Sequence, residues 1–501
     1  MKLPRSFYSW TSISGAALAF ISLMMIIFMM ILDFVIGRGD NYSGLFTYIV
    51  LPVFLIIGLI LIPVGAIRKI RDAKKYKDEP EPPTKFPVVN LNEPSQRTAL
   101  IVFIIGSTIF LLLSAVGSYE AFHYTESVPF CGTLCHEVMK PEYVAYQNSA
   151  HARVACVECH VGPGAGWYVK SKLSGMYQVY AVLTNSYPTP IPTPISNLRP
   201  ARETCEECHW PEQFYSRKLR TEKHYLADET NTEWDISQQM KIGATYKALG
   251  LVEGIHWHIN QNVKIEYVVS GDREEIIPWI RYTNLKTGKV KVFQSPDTTI
   301  DISQTDSKNI HVMDCMNCHN RPSHNYQPPQ LFVDNALTNG EIPKTLPNIK
   351  AAAMQVLNVD YGTTDSATML IRSGIFSYYE SKYPEVFNSQ KADIEKAVVG
   401  ILAGFNKNIF PEMKVKWSAY PIHLGHKTSD GCFRCHNQQH STADGETISR
   451  DCNLCHIFVA QGTPGSMEAA MAGDSLEFKH PVDIDDAWKT ELCSTCHAEL
   501  Y

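Results

Sequence analysis

The chain has no cysteine outside seven closely spaced pairs, and each pair is followed at once by a histidine. These pairs use all 14 cysteines of the 501 residues. A zinc site draws on two such pairs and needs no histidine after each one, whereas a thioredoxin-like dithiol occurs once. Seven histidine-terminated copies with no cysteine left over therefore argue against both kinds of site.

Charge is missing from three long stretches before the first cysteine, at residues 14–32, 43–67 and 98–119. About 20 apolar residues are enough for a helix to cross a bilayer, so the sequence predicts three membrane spans. The first stretch is too long for the apolar part of a signal peptide, and no small-residue cleavage site precedes the second. We therefore expect a retained anchor.

Basic residues flank these stretches unevenly. Lys2 and Arg5 precede the first, and six Lys or Arg residues lie in 68–77, whereas the turn at 37–42 holds only Arg38. By the positive-inside rule, the N-terminus and the loop 68–97 are predicted to be cytoplasmic and everything after residue 119 to be periplasmic. Residues 1–97 carry 11 Lys+Arg and 7 Asp+Glu, which leaves 34 and 44 for the rest, a formal −10. This negative charge has two possible explanations: it favours encounter with a lysine-rich partner, or it only keeps the protein soluble.

The seven motifs match the attachment signature of c-type haem. Two thiols can add to the haem vinyl groups, and the histidine that follows supplies an imidazole to the iron. The first motif, C-G-T-L-C-H, has one extra residue, and its longer loop can still span both vinyl positions. The sequence thus predicts a multihaem cytochrome c with seven covalently bound haem c groups. The attaching cysteines are Cys131, Cys135, Cys156, Cys159, Cys205, Cys208, Cys315, Cys318, Cys432, Cys435, Cys452, Cys455, Cys493 and Cys496, and the proximal ligands are His136, His160, His209, His319, His436, His456 and His497.

An iron that only transfers electrons takes a second axial ligand. Of the 18 histidines, 11 lie outside the motifs, and several of these cluster beside one. Met139, three residues after His136, is the candidate at the first haem; otherwise it is a packing residue. His256 and His258, placed on one face of a predicted strand, are alternatives, and His123, His311 and His423 rank below them. The predicted distal ligands are His151, His224, His324, His426, His440 and His480.

The fold predicted is a membrane-anchored multihaem cytochrome with a mainly α or irregular periplasmic part. Its regions are a three-helix anchor (1–119), a tetrahaem domain (120–330), a helical spacer (331–420) and a C-terminal trihaem module (421–501). The tetrahaem domain holds a small β-rich insertion at about 228–307, where H-W-H-I, V-K-I-E-Y-V-V and G-K-V-K-V-F-Q favour strands. Porphyrins supply much of the buried apolar surface, so we expect residues 118–501 not to fold without haem.

The third span runs into F-C-x-x-x-C-H-x-x-M, with S-x-H before the second motif and C-M-N-C-H-N-R-P-S-H at the fourth. Over residues 98–325 this resembles the NapC/NirT family of membrane-anchored quinol dehydrogenases. The resemblance implies four haems between residues 131 and 319, with distal ligands at His151, His224 and His324. It also implies menaquinol oxidation at a Met139-ligated first haem near the membrane.

In the family a lysine past the second motif helps to bind the quinol, which maps to Lys172, with Lys170 close by. An acid that often follows is replaced here by Gln178, so the proton acceptor stays open. The whole arrangement resembles the inner-membrane multihaem cytochromes of metal-respiring bacteria. It implies a protein of the bacterial cytoplasmic membrane that contacts lipid and passes electrons from the quinone pool to periplasmic c-type cytochromes, with no nucleic-acid partner.

Two other functions remain open on the sequence. A terminal reductase, for example of nitrite, would need an iron with an exchangeable position; no C-x-x-C-K variant is present, but a five-coordinate haem would also serve. Alternatively, the chain is a wire subunit that receives electrons from another subunit of a larger respiratory complex. Whether the protein is itself a quinol dehydrogenase is therefore a matter for experiment.

Overall fold

The computed structural model describes residues 9–36, 50–75, 90–193, 199–210, 214, 216–243, 254–271, 274–297, 300, 302, 306 and 309–498. These residues form two compact units. The first comprises residues 1–131 and 161–172, and the second comprises residues 132–160 and 173–501.

Three long helices make up most of the first unit: α1 (Trp10–Ile36), α2 (Leu51–Lys75) and α3 (Pro94–Glu126). Each is long and apolar enough to cross a membrane, as predicted. The helices α1 and α2 pack closely because glycines face each other: a Cβ on Gly58 would lie 2.6 Å from the backbone of Ala19. The predicted second span began earlier than α2 does, and its residues 43–49 lie outside the described residues.

Short helices surround the first motifs: α4 (Val128–Thr133), α5 (His136–Gln147), α6 (Cys156–His160), α7 (Ala165–Leu183) and α8 (Ala201–Cys205). Two antiparallel four-stranded sheets follow. Their strands are β1 (Lys218–Tyr225), β2 (Glu233–Met240), β3 (Val263–Ser270), β4 (Ile276–Asn284), β5 (Val290–Gln294), β6 (Ile310–Val312), β7 (His456–Thr463) and β8 (Ser466–Ala469).

The first sheet has the order β1-β2-β7-β8, and the second has the order β5-β4-β3-β6. In the first sheet, Met240 of β2 lies opposite His456 of β7. Strands from the predicted tetrahaem region and from the predicted trihaem module therefore share one sheet. The second sheet has a small core of its own, formed by Ile265, Tyr267, Ile277, Ile280 and Phe293.

The strand predicted for H-W-H-I is wrong, because Ile255–Ile259 forms a 3₁₀ helix. Gly254 stands just before it at φ +120° and so close to the backbone at Lys241 that a Cβ would lie 2.6 Å from the Lys241 carbonyl oxygen. This conformation requires glycine. The Trp257 N–H then donates to the Gly254 carbonyl, which closes the turn.

The remaining helices are α9 (Cys315–Cys318), α10 (Pro329–Thr338), α11 (Ile349–Leu357), α12 (Thr364–Lys382), α13 (Pro384–Ser389), α14 (Lys391–Asn408) and α15 (Cys493–His497). The helices α10 to α14 occupy the region predicted as a haem-free spacer. They pack around a side-chain core in which Ile349, Ile371 and Ile394 are fully buried. Beside this core Lys350 forms a buried ion pair with Asp334, with 2.6 Å between Nζ and Oδ1.

Candidate functional site

Each C-x-x-C-H motif forms a short helical turn. The motifs at Cys156 and Cys493 begin α6 and α15, while those at Cys432 and Cys452 lie in 3₁₀ turns. Residues three apart on such a turn lie on the same side, so both thiols can reach one porphyrin edge. In the described part of the chain no cysteine forms a disulfide, which leaves the thiols available for thioether bonds.

Six of the seven motif histidines face a second imidazole at nearly the same distance. A metal–imidazole bond of about 2 Å, with half a ring width on either side, places two such rings about 6 Å apart across one metal. The ring centroids lie 5.8–6.4 Å apart, so each pair has room for one iron. The pairs are His160 with His324, His209 with His151, His319 with His256, His436 with His258, His456 with His426, and His497 with His480.

Backbone carbonyls orient most of the non-motif rings of these pairs. Because a carbonyl oxygen only accepts, each bonded Nδ1 carries the proton and Nε2 keeps the lone pair that a metal needs. The accepting carbonyls lie 2.8–3.2 Å from Nδ1. They are Pro322 for His151, Glu142 for His324, Ile242 for His256 and Ile255 for His258.

Burial favours the neutral form of several of the paired rings. Desolvation disfavours the imidazolium ion, and it lowers the pKa of His258, His324 and His426 below the usual value. The same cause lowers the pKa of His456 and of His497 to about 4. A neutral imidazole is the form that ligates a metal, so the electrostatics of the pairs suit coordination.

The 3₁₀ helix explains how the rings of His256 and His258 face two different motifs. In a strand, residues two apart point to the same side, but at three residues per turn they point in divergent directions. His256 accordingly stacks 6.4 Å from His319 of the fourth motif, and His258 lies 5.8 Å from His436 of the fifth. From the sequence, both residues were only alternative distal ligands. Their His-x-His spacing was the signal that could have placed them among the predicted ligands.

Two predicted distal ligands lie in other surroundings. The His440 ring is buried, and its Nε2 lies 2.6 Å from the Ile277 carbonyl oxygen, to which it must donate its proton. His224 has a carboxylate at each nitrogen, with Glu222 and Asp334 both at 3.5 Å. The other nitrogen of His440, Nδ1, lies 3.0 Å from the Asn437 side chain, so both nitrogens of each ring already face other groups of the protein.

The first motif is described in part. The side chain of His136 lies outside the described residues, whereas Met139 is half-buried one turn further along α5. The lower-ranked rings pack locally, with His123 against Tyr119 and His311 against Tyr267.

Motifs that follow one another in the sequence also lie next to one another in the second unit. His151, just before the second motif, faces His209 of the third. The helix α8, which ends at Cys205, contacts α9, which begins at Cys315, and this contact joins the third motif to the fourth.

The same order continues to the end of the chain. Arg434, inside the fifth motif, donates to the Asn317 carbonyl inside the fourth. His436 of the fifth motif bonds to the Ser449 carbonyl just before the sixth, with 2.9 Å between Nδ1 and oxygen. Arg450, next to the sixth motif, donates to the Thr490 carbonyl just before the seventh. The second to seventh motifs thus form an unbroken series.

The residues expected at a quinol site lie on α7. Lys172 Nζ lies 3.2 Å from Glu126 Oε1 at the end of α3, and 5.0 Å from the centre of the Tyr168 ring. Lys170 lies over the Trp167 ring at 4.5 Å. Gln178 is exposed and bonds to Ser174. Sequence reasoning missed Glu126, although it stands only five residues before the first cysteine.

Helical C-x-x-C-H turns whose histidines meet second imidazoles, together with three membrane-length helices, define a membrane-anchored multihaem c-type cytochrome. The family model described as the NapC/NirT cytochrome c family, N-terminal region, matches residues 93–191. The chain is 42% identical over 492 residues to the cytochrome c-type protein ImcH of Geobacter sulfurreducens, covering 98% of this chain and 95% of that protein. It is 32% identical over 115 residues to the cytochrome c-type protein NrfH of Wolinella succinogenes, covering 22% and 63%. No solved structure matches the chain significantly.

The chain therefore belongs to the NapC/NirT cytochrome c family, and it is similar to ImcH along nearly its whole length. This confirms the family resemblance and the fold class predicted from the motifs. Membership also establishes the general function: the protein binds haem covalently and transfers electrons.

Proposed function

We propose that the protein oxidises menaquinol at the bacterial cytoplasmic membrane and passes the electrons through seven haem c groups to periplasmic c-type cytochromes. The observation that carries this proposal is the set of six imidazole pairs, each spaced for one iron. An iron held by two imidazoles has no open position for a substrate such as nitrite. The pairs therefore favour electron transfer over a terminal reductase.

The bound haems would supply one-electron redox chemistry, and the protein would supply ligands, position and a low dielectric. We assign the distal positions of the second to seventh motifs, in chain order, to His324, His151, His256, His258, His426 and His480. In this assignment His256 and His258 replace His224 and His440, two of the distal ligands predicted from the sequence. Met139 remains the proposed second ligand at the first motif.

The electron path would follow the chain. Neighbouring motifs contact each other from the second to the seventh, so bound haems would be separated by short transfer steps. Electrons entering near the membrane would leave from the C-terminal motifs. A lysine-rich soluble cytochrome suits the acidic charge of residues 98–501 as the acceptor, chiefly through a faster encounter.

The helix α7 suits a membrane interface. Val169, Leu173, Met176, Tyr180 and Leu183 recur at helical spacing, and each is more than half exposed. Such an apolar stripe would rest at the boundary between headgroups and acyl chains, where a quinol could reach Lys172. By the positive-inside rule, this face belongs to the periplasmic side, with the N-terminus in the cytoplasm.

The test is oxidation of a soluble menaquinol analogue by the purified, haem-loaded protein, followed through the haem absorbance. We expect reduction without any other subunit, inhibition by a quinone-site inhibitor, and a large loss of rate in Lys172→Ala. Lys382→Ala, which changes an exposed lysine of the helical region, is the matched control and should react like the wild type.

Two outcomes would favour the other functions. If the haems stay oxidised until another subunit is added, the chain is a wire within a larger complex. If nitrite or hydroxylamine reoxidises the reduced protein at enzyme-like rates, the terminal reductase function is correct instead.

A further inference from the structure

The proposed quinol site needs a group that accepts protons, and the side chain expected there cannot do so. Gln178 is a neutral amide, and it lies exposed beside Ser174. Oxidation of a hydroquinone to a quinone releases two protons along with two electrons, so a base close to the bound hydroxyl groups would speed the reaction.

Glu126 is placed to be that base. It is the last residue of α3, the helix that precedes the first motif. Its Oε1 lies 3.2 Å from Lys172 Nζ, and its side chain is 11% exposed while that of Lys172 is 38% exposed. The ion pair therefore lies at the end of a membrane-length helix with its lysine partly open.

Charged, titratable and aromatic side chains surround the Glu126 carboxylate. Tyr168 and Lys172 face it from α7, and His123 stands one turn earlier on its own helix. Phe122 and Tyr168 pack nearby, with their rings 6.3 Å apart. One cation beside one carboxylate, next to aromatic rings, is a setting in which a planar hydroquinone could lie against the rings and present a hydroxyl to the carboxylate.

We propose that Glu126 is the catalytic base of quinol oxidation, a role that rests on the quinol-oxidising function proposed above. In each of two steps a hydroquinone O–H bond breaks, the proton goes to the Glu126 carboxylate, and one electron goes to a ferric c-type haem. The carboxylate passes each proton to the outer water before the next step. Lys172 holds the carboxylate in place and binds the substrate oxygen.

The test compares Glu126→Gln, which keeps the shape and removes the base, with Glu126→Asp and with Glu120→Gln. Glu120 is an exposed carboxylate on the same helix, so its variant should match the wild type. General-base catalysis contributes about 10²–10⁴-fold, and we expect Glu126→Gln to lose at least about 100-fold in kcat for a menaquinol analogue. Glu126→Asp should keep a substantial part of the rate.

The pH profile separates a base from a structural residue. The wild-type rate should depend little on hydroxide concentration, whereas the Glu126→Gln rate should rise with pH as the solvent takes over deprotonation. Reduction by a viologen radical, which needs no proton acceptor, should be equal in both proteins, as should the haem spectrum.

The outcomes also separate this inference from the function on which it rests. If the wild type does not oxidise the quinol analogue, both are wrong. If the wild type does so and Glu126→Gln matches it in rate and pH profile, only the role of Glu126 is overturned. That role is also overturned if viologen reduction falls in parallel, because the substitution has then damaged the haem region.

Discussion

Replacing His258 by alanine removes one imidazole from the pair that it forms with His436, at a centroid distance of 5.8 Å. If that pair holds the iron of the fifth motif, the iron loses one of its two strong-field ligands. One haem in seven then becomes high-spin, which is about 14% of the haem iron in the protein. Electron paramagnetic resonance of the oxidised variant, integrated against the total haem, measures that fraction.

The control is His440→Ala. His440 lies close in sequence to the same motif and has the same imidazole side chain, but its Nε2 is hydrogen-bonded to the Ile277 carbonyl. We expect no new high-spin signal from this variant. The ligand assignment is refuted if His440→Ala yields the high-spin haem and His258→Ala does not. Exogenous imidazole should return the His258→Ala haem to low spin, since the cavity left behind accepts a ligand.

Three further predictions concern stability. Lys350→Met leaves the buried Asp334 carboxylate without its lysine partner, so it should destabilise the helical region by about 3–5 kcal/mol, read as faster hydrogen exchange in α10 and α11. A hydrogen bond from His224 lowers the pKa of Glu222 from 4.5 to about 2, worth roughly 3 kcal/mol above about pH 4.5. This contribution falls as the pH drops through the folded pKa, so the difference in unfolding free energy between wild type and Glu222→Gln should shrink by about half at pH 3. Finally, the helical region packs around a core of side chains, which revises the expectation that all of residues 118–501 need haem to fold. Chain made without haem attachment should keep residues 329–408 resistant to protease, and Ile371→Ala, which costs about 2–5 kcal/mol at a fully buried site, should remove that resistance.

Each of these three stability predictions has an outcome that would contradict it. A double variant that replaces Lys350 and Asp334 by apolar residues should recover most of the stability, and its failure to do so would mean that the pair is not the cause. A Glu222→Gln difference that stays constant between pH 5 and pH 3 would show that the carboxylate does not titrate as described. Complete digestion of the haem-free chain would show that the helical core also depends on haem.

The sequence could predict the features that depend on local patterns of residues. Apolar stretches marked the three helices, and paired cysteines with histidines marked the haem motifs, because both signals lie within a few residues of one another. His151, His324, His426 and His480 were named because each stands near a motif in the chain.

The features that could not be predicted depend on distant contacts. His256 and His258 were predicted to lie on a strand, but they lie in a 3₁₀ helix that begins where the Gly254 backbone approaches Lys241, and their rings face two different motifs. Strand β7 joins β2 across more than 200 residues, a pairing that no local pattern reveals. Glu126 and Lys172 meet because two helices pack, although 46 residues separate them.

The pairing of imidazoles across the motif irons is the claim on which the electron-transfer function depends. Purified wild-type protein, with its haem count fixed by intact mass, should be examined by near-infrared magnetic circular dichroism, which distinguishes bis-histidine from histidine–methionine and high-spin haem. We predict seven haems, of which six carry two histidines. High-spin or methionine-ligated signals from two or more haems would contradict the account.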